Sequence, residues 1–167
     1  MRPMELRPLG RSGRQVGVIG VCPGSDAVAR LARERGCTIV GPDFGLGDAG
    51  IVRYNLLDQK DANLQIGRLA REGKGVVAVH VLAGGSLASA ASAPSARVAQ
   101  LKCLVKPGRT LVQAAVQFVL ANESVSAAVV RCSTAAHLDE ILGAPDAAPL
   151  TGQDLEQIFE LWANRFG

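Results

Sequence analysis

Short aliphatic runs that alternate with helical stretches constrain the fold of this chain most. Five such runs occur along the sequence, at residues 16–21, 38–40, 51–57, 76–82 and 126–131. They do not alternate between apolar and polar residues, so both faces of each predicted strand should be buried, which is typical of a parallel sheet covered by helices. Residues 5–7 and 15–16 flank the turn-forming residues 10–13 and predict a short antiparallel hairpin in front of this sheet. The predicted fold class is α/β.

Helix signals fill the intervals between the aliphatic runs. Ser25, Asp58 and Thr110 each precede a helical stretch, where a short polar side chain can accept hydrogen bonds from the free backbone amides. Gly36 stands at the end of the first stretch, where glycine commonly ends a helix. The last predicted helix carries an apolar stripe at helical spacing: Leu155, Ile158, Phe159, Trp162 and Phe166.

Length and composition exclude several classes of protein. With 167 residues the chain is long enough for one domain, residues 1–167, and not for two. A net charge of +3 and an aromatic content of 4% argue against a nucleic-acid or anionic membrane partner. The four cysteines lie far apart without metal-ligand spacing, so we expect no metal site. We also expect a cytoplasmic protein, because no secretory signal and no apolar stretch of about 18 residues is present.

Several segments resemble the aldo-keto reductase family, whose members are (β/α)8 barrels that reduce carbonyl groups with NADPH. Residues 4–20, MELRPLGRSGRQVGVIG, resemble its opening hairpin and first strand, and residues 30–50, RLARERGCTIVGPDFGLGDAG, resemble its first helix, second strand and following loop. YNLLDQ (54–59) and GKGVVAVHVLAGG (73–85) resemble its sixth and seventh strands. TLVQAAVQFVLANESVSAAVVRCSTAAHLDEILGA (110–144) resembles the segment through its eighth strand and the phosphate-binding helix. The resemblance implies a barrel fold over most of the chain.

The resemblance has an internal gap. A complete (β/α)8 barrel needs roughly 250 residues, and the shortfall lies between Gly50 and Ile51, where the third, fourth and fifth strands of the family would stand. Those strands carry the family's catalytic lysine and histidine. Its catalytic aspartate and tyrosine would fall at residues 41–44, which read Gly-Pro-Asp-Phe, with Phe44 in place of the tyrosine. Because phenylalanine has no hydroxyl group, it cannot protonate an alkoxide. No clear catalytic tetrad is therefore present.

The positions that bind NADPH in the family are also changed. Ile51 replaces the glutamine for the nicotinamide amide, Val79 replaces the stacking aromatic residue, and His80 replaces the following serine. Four further replacements follow the same comparison, with Arg131-Cys132 for a Pro-Gly pair, Thr134 for the arginine of the 2′-phosphate and Ile141 for an asparagine. We therefore expect that the protein uses no NADPH and has no NADPH-dependent reductase activity.

The resemblance also predicts the order of the strands. Strands one and eight of such a barrel are neighbours, so removal of three to five leaves the arc 6-7-8-1-2. The expected architecture is a partial (β/α) barrel of about five parallel strands with an N-terminal hairpin, and an open flavodoxin-like sheet is the alternative. Residues 38–41 and 51–57 would form two bare edges. Because bare aliphatic edges must be paired or covered, we expect a homodimer that joins two arcs.

Reactive groups in barrels lie at the carboxyl ends of the strands, and this places three candidate catalytic residues. His80 would act as an acid and base near neutral pH, Asp43 would orient it, and Arg131 would stabilise an enolate or carboxylate oxygen. A histidine that is merely hydrogen-bonded in the structure is the competing interpretation. The candidate substrate-binding residues occupy the same strand ends: Phe44, Ile51, Tyr54, Asn55, Val79 and Cys132.

Three functional interpretations stay open. The first is a redox-neutral acid/base enzyme, a cyclase, isomerase or dehydratase, acting on a small or polyketide-like carbonyl compound without a cofactor. The second is a non-catalytic dimerising scaffold or accessory subunit, favoured by the missing tetrad and the bare edges. The third is a residual reductase that still binds NADPH. Saturable binding of NADPH would overturn the expectation that the cofactor is not used.

Overall fold

The computed structural model describes residues 3–39, 47, 49–88 and 95–166. In these ranges an antiparallel hairpin precedes a five-stranded parallel sheet. The hairpin consists of β1 (Leu6–Pro8) and β2 (Gln15–Gly17), with Leu6 opposite Gly17. The predicted strand over residues 16–21 is wrong in one respect, because it divides at Val18. Residues 15–17 pair with β1 in the hairpin, and residues 19–23 pair with β7 in the parallel sheet.

The parallel sheet has the predicted strand order. Its strands are β3 (Ile19–Pro23), β4 (Thr38–Ile39), β5 (Gly50–Arg53), β6 (Val76–Val79) and β7 (Ala127–Cys132). They are arranged in the order β4-β3-β7-β6-β5, which is the arc 6-7-8-1-2 in the order of the barrel family. All four pairings are parallel. The two edge strands, β4 and β5, follow one another among the strands of the described residues.

Helices lie on one face of the sheet. They are α1 (Asp26–Glu34), α2 (Lys60–Arg71), α3 (Ala96–Gln100), α4 (Leu111–Leu120), α5 (Ala135–Leu142) and α6 (Gly152–Leu161). Buried residues of α1, α2, α4 and α5 share one core with sheet residues such as Val52, Ala78 and Val130. A second, smaller core on the opposite face joins hairpin residues Leu9 and Val16 to the sheet. This one-sided arrangement is that of a partial barrel, and it differs from a flavodoxin-like sheet with helices on both faces.

Side chains cap the helices largely as predicted. The hydroxyl of Ser25 accepts a hydrogen bond from the backbone of Val28 at 3.4 Å, and Thr110 begins α4 with a reciprocal capping box to Gln113. The prediction for Asp58 is wrong. Gln59 precedes α2 without a side-chain cap, because the Asp58 carboxylate accepts hydrogen bonds from Arg53 and Asn55 instead.

Two strands end before the aliphatic runs that predicted them. The strand predicted over 51–57 ends at Arg53, because the Asn55 side chain accepts hydrogen bonds from the backbone of Leu57 and Asp58 and so forms a turn. The strand predicted over 76–82 ends at Val79, because His80 has a left-handed backbone with φ of 56°. Both changes bring polar groups close to the carboxyl end of the sheet.

Candidate functional site

A cleft of about 510 Å³ lies at the carboxyl ends of β6 and β7. One wall is the segment that follows β6, and the other is the start of α5. Five polar, charged or thiol side chains line it: Cys22, His80, Arg131, Ser133 and His137. Because polar groups converge on a concave surface at the strand ends, this cleft is the candidate functional site.

The strand register forms the floor of this cleft. Val129 lies opposite Gly20, and Arg131 lies opposite Cys22, in the pairing of β7 with β3. Residues two apart on a strand face the same side, so these four residues line the concave face away from the helices. Gly20 is required for this packing, since an added Cβ atom would come within 2.8 Å of Val129 Cγ2. The floor of the cleft is therefore apolar at Gly20 and Val129, and Arg131 lies two residues further towards the carboxyl ends of the strands.

His80 stands at the end of β6 in an unusual backbone conformation. Its φ is 56°, and Ala83 three residues later has a φ of 49°, in a region that residues other than glycine seldom occupy. The Ala83 amide donates to the His80 carbonyl at 2.8 Å, which closes the turn. The imidazole is exposed to solvent and lines the cleft. A side chain held outward at the cost of backbone strain is a recurring feature of functional sites.

The buried side chain of Asn55 supports the turn at His80 by hydrogen bonds. It is fully buried, and its Nδ2 donates to the His80 carbonyl at 3.0 Å and to Asp58 Oδ2 at 3.1 Å. Its Oδ1 accepts from the backbone amides of Leu57 and Asp58. All of its amide hydrogen-bonding groups are thus used within the protein. Asn55, a predicted substrate contact, acts here as a support for the His80 turn.

Two further predicted substrate contacts lie on the helix side of the sheet. Tyr54 is buried there with its ring centroid 5.3 Å from that of Phe118, and burial raises its pKa against a smaller opposite effect of the hydrogen bond with Asn122. Cys132 is also buried, and its Sγ donates to the Thr134 carbonyl at 3.3 Å. Burial raises the pKa of the Cys132 thiol, which makes it a poor nucleophile. The structure does not bring these side chains into the cleft.

The remaining predicted site residues are placed as follows. Val79 lines the cleft beside His80. Ile51 is half exposed on the edge strand β5 and does not line the cleft. Asp43 and Phe44 lie outside the described residues. Of the nine candidates, His80, Arg131 and Val79 therefore share the cleft.

The sequence analysis missed His137, Cys22 and Ser133 as cleft residues. His137 Nε2 is buried and has no hydrogen-bond partner among the described residues. The sequence position of His137 indicates that it belongs to the first turn of α5, because it is the third residue after the N-cap Thr134. The Thr134 Oγ1 accepts a hydrogen bond from the His137 amide at 3.2 Å. Side chains in a helix point back towards its start, so a residue in the first turn of α5 reaches the strand ends.

The described side chains do not fit the NADPH contacts that the family resemblance implies. Thr134, in the position of the 2′-phosphate arginine, uses its hydroxyl to cap α5. Ile141, in the position of the asparagine, is fully buried in the helix-side core. Val79 offers no aromatic ring for stacking. Among the described residues, no group of three or more His, Cys, Asp or Glu side chains is arranged to hold a metal ion.

None of the helices in the described ranges is both long and apolar enough to cross a membrane. No model of a protein family and no curated protein matches the sequence significantly.

Two solved structures are similar to this one at the level of the fold. The holo form of the aldo-keto reductase AKR11C1 from Bacillus halodurans matches with a TM-score of 0.55 and 20% sequence identity, over 85% of this chain and 49% of that chain. The apo form of the same enzyme matches with a TM-score of 0.55 and 20% identity, over 80% of this chain and 47% of that one. The chain thus spans about half the length of these structures. The described part of the chain has the fold of an incomplete aldo-keto reductase barrel.

Proposed function

We propose that this protein is a cofactor-independent, redox-neutral acid/base enzyme, of the cyclase, isomerase or dehydratase type. Its substrate would be a small or polyketide-like carbonyl compound. The observation that carries the proposal is the solvent-exposed imidazole of His80, which shares the cleft with Arg131. Histidine exchanges protons near neutral pH, and a guanidinium group stabilises oxygen that becomes negatively charged.

In the proposed reaction the neutral imidazole of His80 removes a proton from the carbon next to the carbonyl group. The electron pair of the broken C–H bond forms an enolate, and Arg131 stabilises the enolate oxygen. In an isomerisation the imidazolium returns the proton to a second carbon of the enolate system. In a cyclisation the enolate carbon attacks a second carbonyl group of the same molecule, and the imidazolium protonates the alkoxide that this C–C bond formation creates. In a dehydration the enolate electrons form a C=C bond as the C–O bond to the β-hydroxyl group breaks, and the imidazolium protonates that group so that it leaves as water. No step transfers a hydride. Asp43 remains the proposed orienting carboxylate of His80.

The changed NADPH positions support a reaction without hydride transfer. Thr134 is engaged as a helix cap and Ile141 is buried, so neither offers the polar contact that the family resemblance implies. Since a fold does not determine a function by itself, the reductase activity of the similar structures is not transferred to this chain.

The test measures deuterium incorporation into hydroxyacetone and cyclohexanone by proton NMR in heavy water. We expect exchange above the buffer rate with the purified protein and a loss of about 100-fold or more in His80→Asn, the usual range of a general base. Asparagine tolerates the left-handed backbone of this position, whereas alanine adds strain. Cys103→Ser, at an exposed position outside the cleft, is the control. Exchange at the buffer rate with both ketones, or undiminished exchange in His80→Asn, would contradict the mechanism.

A homodimeric scaffold or accessory subunit is the second candidate, because the aliphatic strands β4 and β5 each have one neighbouring strand among the described residues. Homodimerisation is also compatible with the enzyme, and we propose it for either function. Light scattering of the purified protein measures it directly. A residual reductase is the third candidate, and a titration that follows NADPH fluorescence tests it, with saturation at micromolar concentration as the result that would support it.

A further inference from the structure

Both histidines of the chain line the same cleft. The sequence contains two, His80 and His137, and each contributes to the wall of the cleft at the carboxyl ends of β6 and β7. The proposed mechanism uses the imidazole of His80 as the base and the guanidinium group of Arg131 for the enolate oxygen. It leaves the second imidazole of the cleft without a role.

The imidazole of His137 carries a polar atom that the described part of the protein does not satisfy. Its Nε2 is buried and has no hydrogen-bond partner among the described residues. A buried polar atom without a partner is destabilising, and such atoms are uncommon in folded proteins. The described lining of the cleft contains no Asp or Glu side chain that could pair with this nitrogen. A ligand in the cleft would supply the missing group.

The backbone of His137 is held in place, and its ring can turn towards a ligand. The His137 amide donates to Thr134 Oγ1 at 3.2 Å, and the next residue, Leu138, is fully buried in the helix-side core. His137 as a whole is only partly buried, and the torsion about the Cβ–Cγ bond of a histidine is broad. A rotation of the ring therefore presents Nε2 to a molecule in the cleft while α5 stays in place.

A hydroxyl group matches an imidazole nitrogen in every protonation state. The nitrogen accepts a hydrogen bond when it is unprotonated and donates one when it is protonated, and a hydroxyl group can do both. A carbonyl oxygen only accepts, and an ammonium group only donates. The hydroxyl group is therefore the ligand group that His137 can bind without a change of its own protonation.

We propose that His137 binds a hydroxyl group of the substrate, which makes the substrate a hydroxy ketone. This inference rests on the proposed function and names the substrate class of the same site. Arg131 binds the carbonyl oxygen, His80 takes the proton from the neighbouring carbon, and Nε2 of His137 forms a hydrogen bond with the hydroxyl group. The apolar side chains of Val79 and Val129 line the space for the carbon skeleton. His137 makes and breaks no bond of the substrate, so it determines specificity.

The first experiment compares ketones that differ only in a hydroxyl group. Hydroxyacetone is paired with butanone, and diacetone alcohol with methyl neopentyl ketone, because in each pair a hydroxyl group replaces a methyl group. Deuterium exchange next to the carbonyl group is measured in heavy water and divided by the buffer rate of the same ketone. We expect the wild type to prefer the hydroxy ketone about 10-fold or more in at least one pair, which corresponds to one hydrogen bond to an otherwise unpaired group.

Two variants test whether this preference comes from Nε2 of His137. His137→Gln keeps a polar group close to the position of Nε2, whereas His137→Leu removes it, and both residues are compatible with a helix. We expect the ratio between hydroxy ketone and plain ketone to fall to about 1 in His137→Leu and to be largely retained in His137→Gln. Cys103→Ser, at an exposed position outside the cleft, is the control and should keep the wild-type ratio. Circular dichroism checks that each variant is folded.

A second experiment needs no turnover. In His80→Asn one imidazole is left in the chain, so a proton–nitrogen correlation spectrum of the imidazole nitrogens reports on His137 alone. We expect the Nε2 resonance to shift when hydroxyacetone or diacetone alcohol is added and to stay in place with the two plain ketones.

The outcomes separate this inference from the proposed function. Exchange at the buffer rate with all four ketones would overturn the proposed function, and the Nε2 resonance then decides the hydroxyl contact by itself. Exchange without a preference for either hydroxy ketone, a preference retained in His137→Leu, or an Nε2 resonance that does not respond to the hydroxy ketones would overturn the role of His137 alone.

Discussion

Removal of the buried carboxylate of Asp154 should destabilise the protein strongly, because it leaves a buried guanidinium group without its counter-charge. Asp154 is 1% exposed at the start of α6, and Arg109, beside the start of α4, is 2% exposed. Arg109 Nη2 donates to Asp154 Oδ2 at 3.0 Å, and Lys106 Nζ donates to Oδ1 at 2.6 Å. The other guanidinium hydrogen bonds are donated to the carbonyls of Leu104 at 2.9 Å, Pro149 at 2.7 Å and Ala148 at 3.3 Å. The two ion pairs of Asp154 and the carbonyl contacts of Arg109 therefore join three chain segments.

The magnitude follows from burial of the pair. Removal of one partner of a buried ion pair leaves the other charge uncompensated and costs about 3–5 kcal/mol, a large part of a total stability of about 5–15 kcal/mol. We expect this loss in the unfolding free energy of Asp154→Asn, measured by urea denaturation. The control is Asp139→Asn, whose carboxylate pairs with Arg35 at the surface and should cost less than about 1 kcal/mol.

The same carboxylate predicts how stability depends on pH. Burial raises the pKa of Asp154, but hydrogen bonds from Lys106, the Thr151 amide and Arg109 outweigh it and hold the pKa well below its usual value. The folded protein thus binds this proton less readily than the unfolded chain. The stabilisation is therefore fully present above the unfolded pKa of about 3.9 and is lost as the pH falls below it. A denaturation midpoint in Asp154→Asn within error of the Asp139→Asn value at pH 7 would refute the reasoning.

Three further predictions concern the turns and the thiols. Gly10→Ala should destabilise the protein by about 2 kcal/mol or more, because the new Cβ atom would lie 2.5 Å from the Gly73 carbonyl oxygen. Gly13 has open space around it, so Gly13→Ala should cost about 1 kcal/mol for its positive φ alone. Asn55→Ala leaves buried backbone groups without partners and should cost about 2–3 kcal/mol in urea denaturation, and equal stability with the wild type would contradict its supporting role. Alkylation followed by mass spectrometry should label the exposed Cys103 first, and Cys37, whose pKa burial raises to about 11, only after unfolding.

The strand order could be predicted from the sequence, but the strand ends could not. The aliphatic runs and the family motifs together place five strands in the observed order, and the caps at Ser25 and Thr110 follow from local chemistry. The runs after β5 and β6 extend past the strands, because Leu56 and Val81 are buried within the turns themselves. Hydrophobicity records burial and does not separate a strand from a buried turn.

The site residues show the same division between local and tertiary signals. His80 and Arg131 could be placed at the cleft because their strand positions follow from the register. The role of Asn55 could not, since it depends on a hydrogen bond to a residue 25 positions away. The exposure of Leu155 and Phe159 in the final apolar stripe could not be predicted either, because Ile158 of the same stripe turns into the core while these two side chains do not. Helical spacing defines a stripe and does not define how much of it another element covers.

The position of the cleft follows from how the hairpin covers the open face of the sheet. In a closed barrel this face would be internal, whereas here the hairpin residues Leu9 and Val16 bury only the part of it formed by Val77, Ala127 and Val129. The hairpin also contacts the chain just before β6, through the bridge between Gly10 and Lys74, so it is held at the amino ends of the strands. The carboxyl half of the face is left uncovered by this core, and it carries Arg131 and the His80 turn. Within the described residues, the same arrangement that stabilises an incomplete barrel at one end therefore leaves a cleft with polar groups at the other, and no residue of the hairpin core fills it.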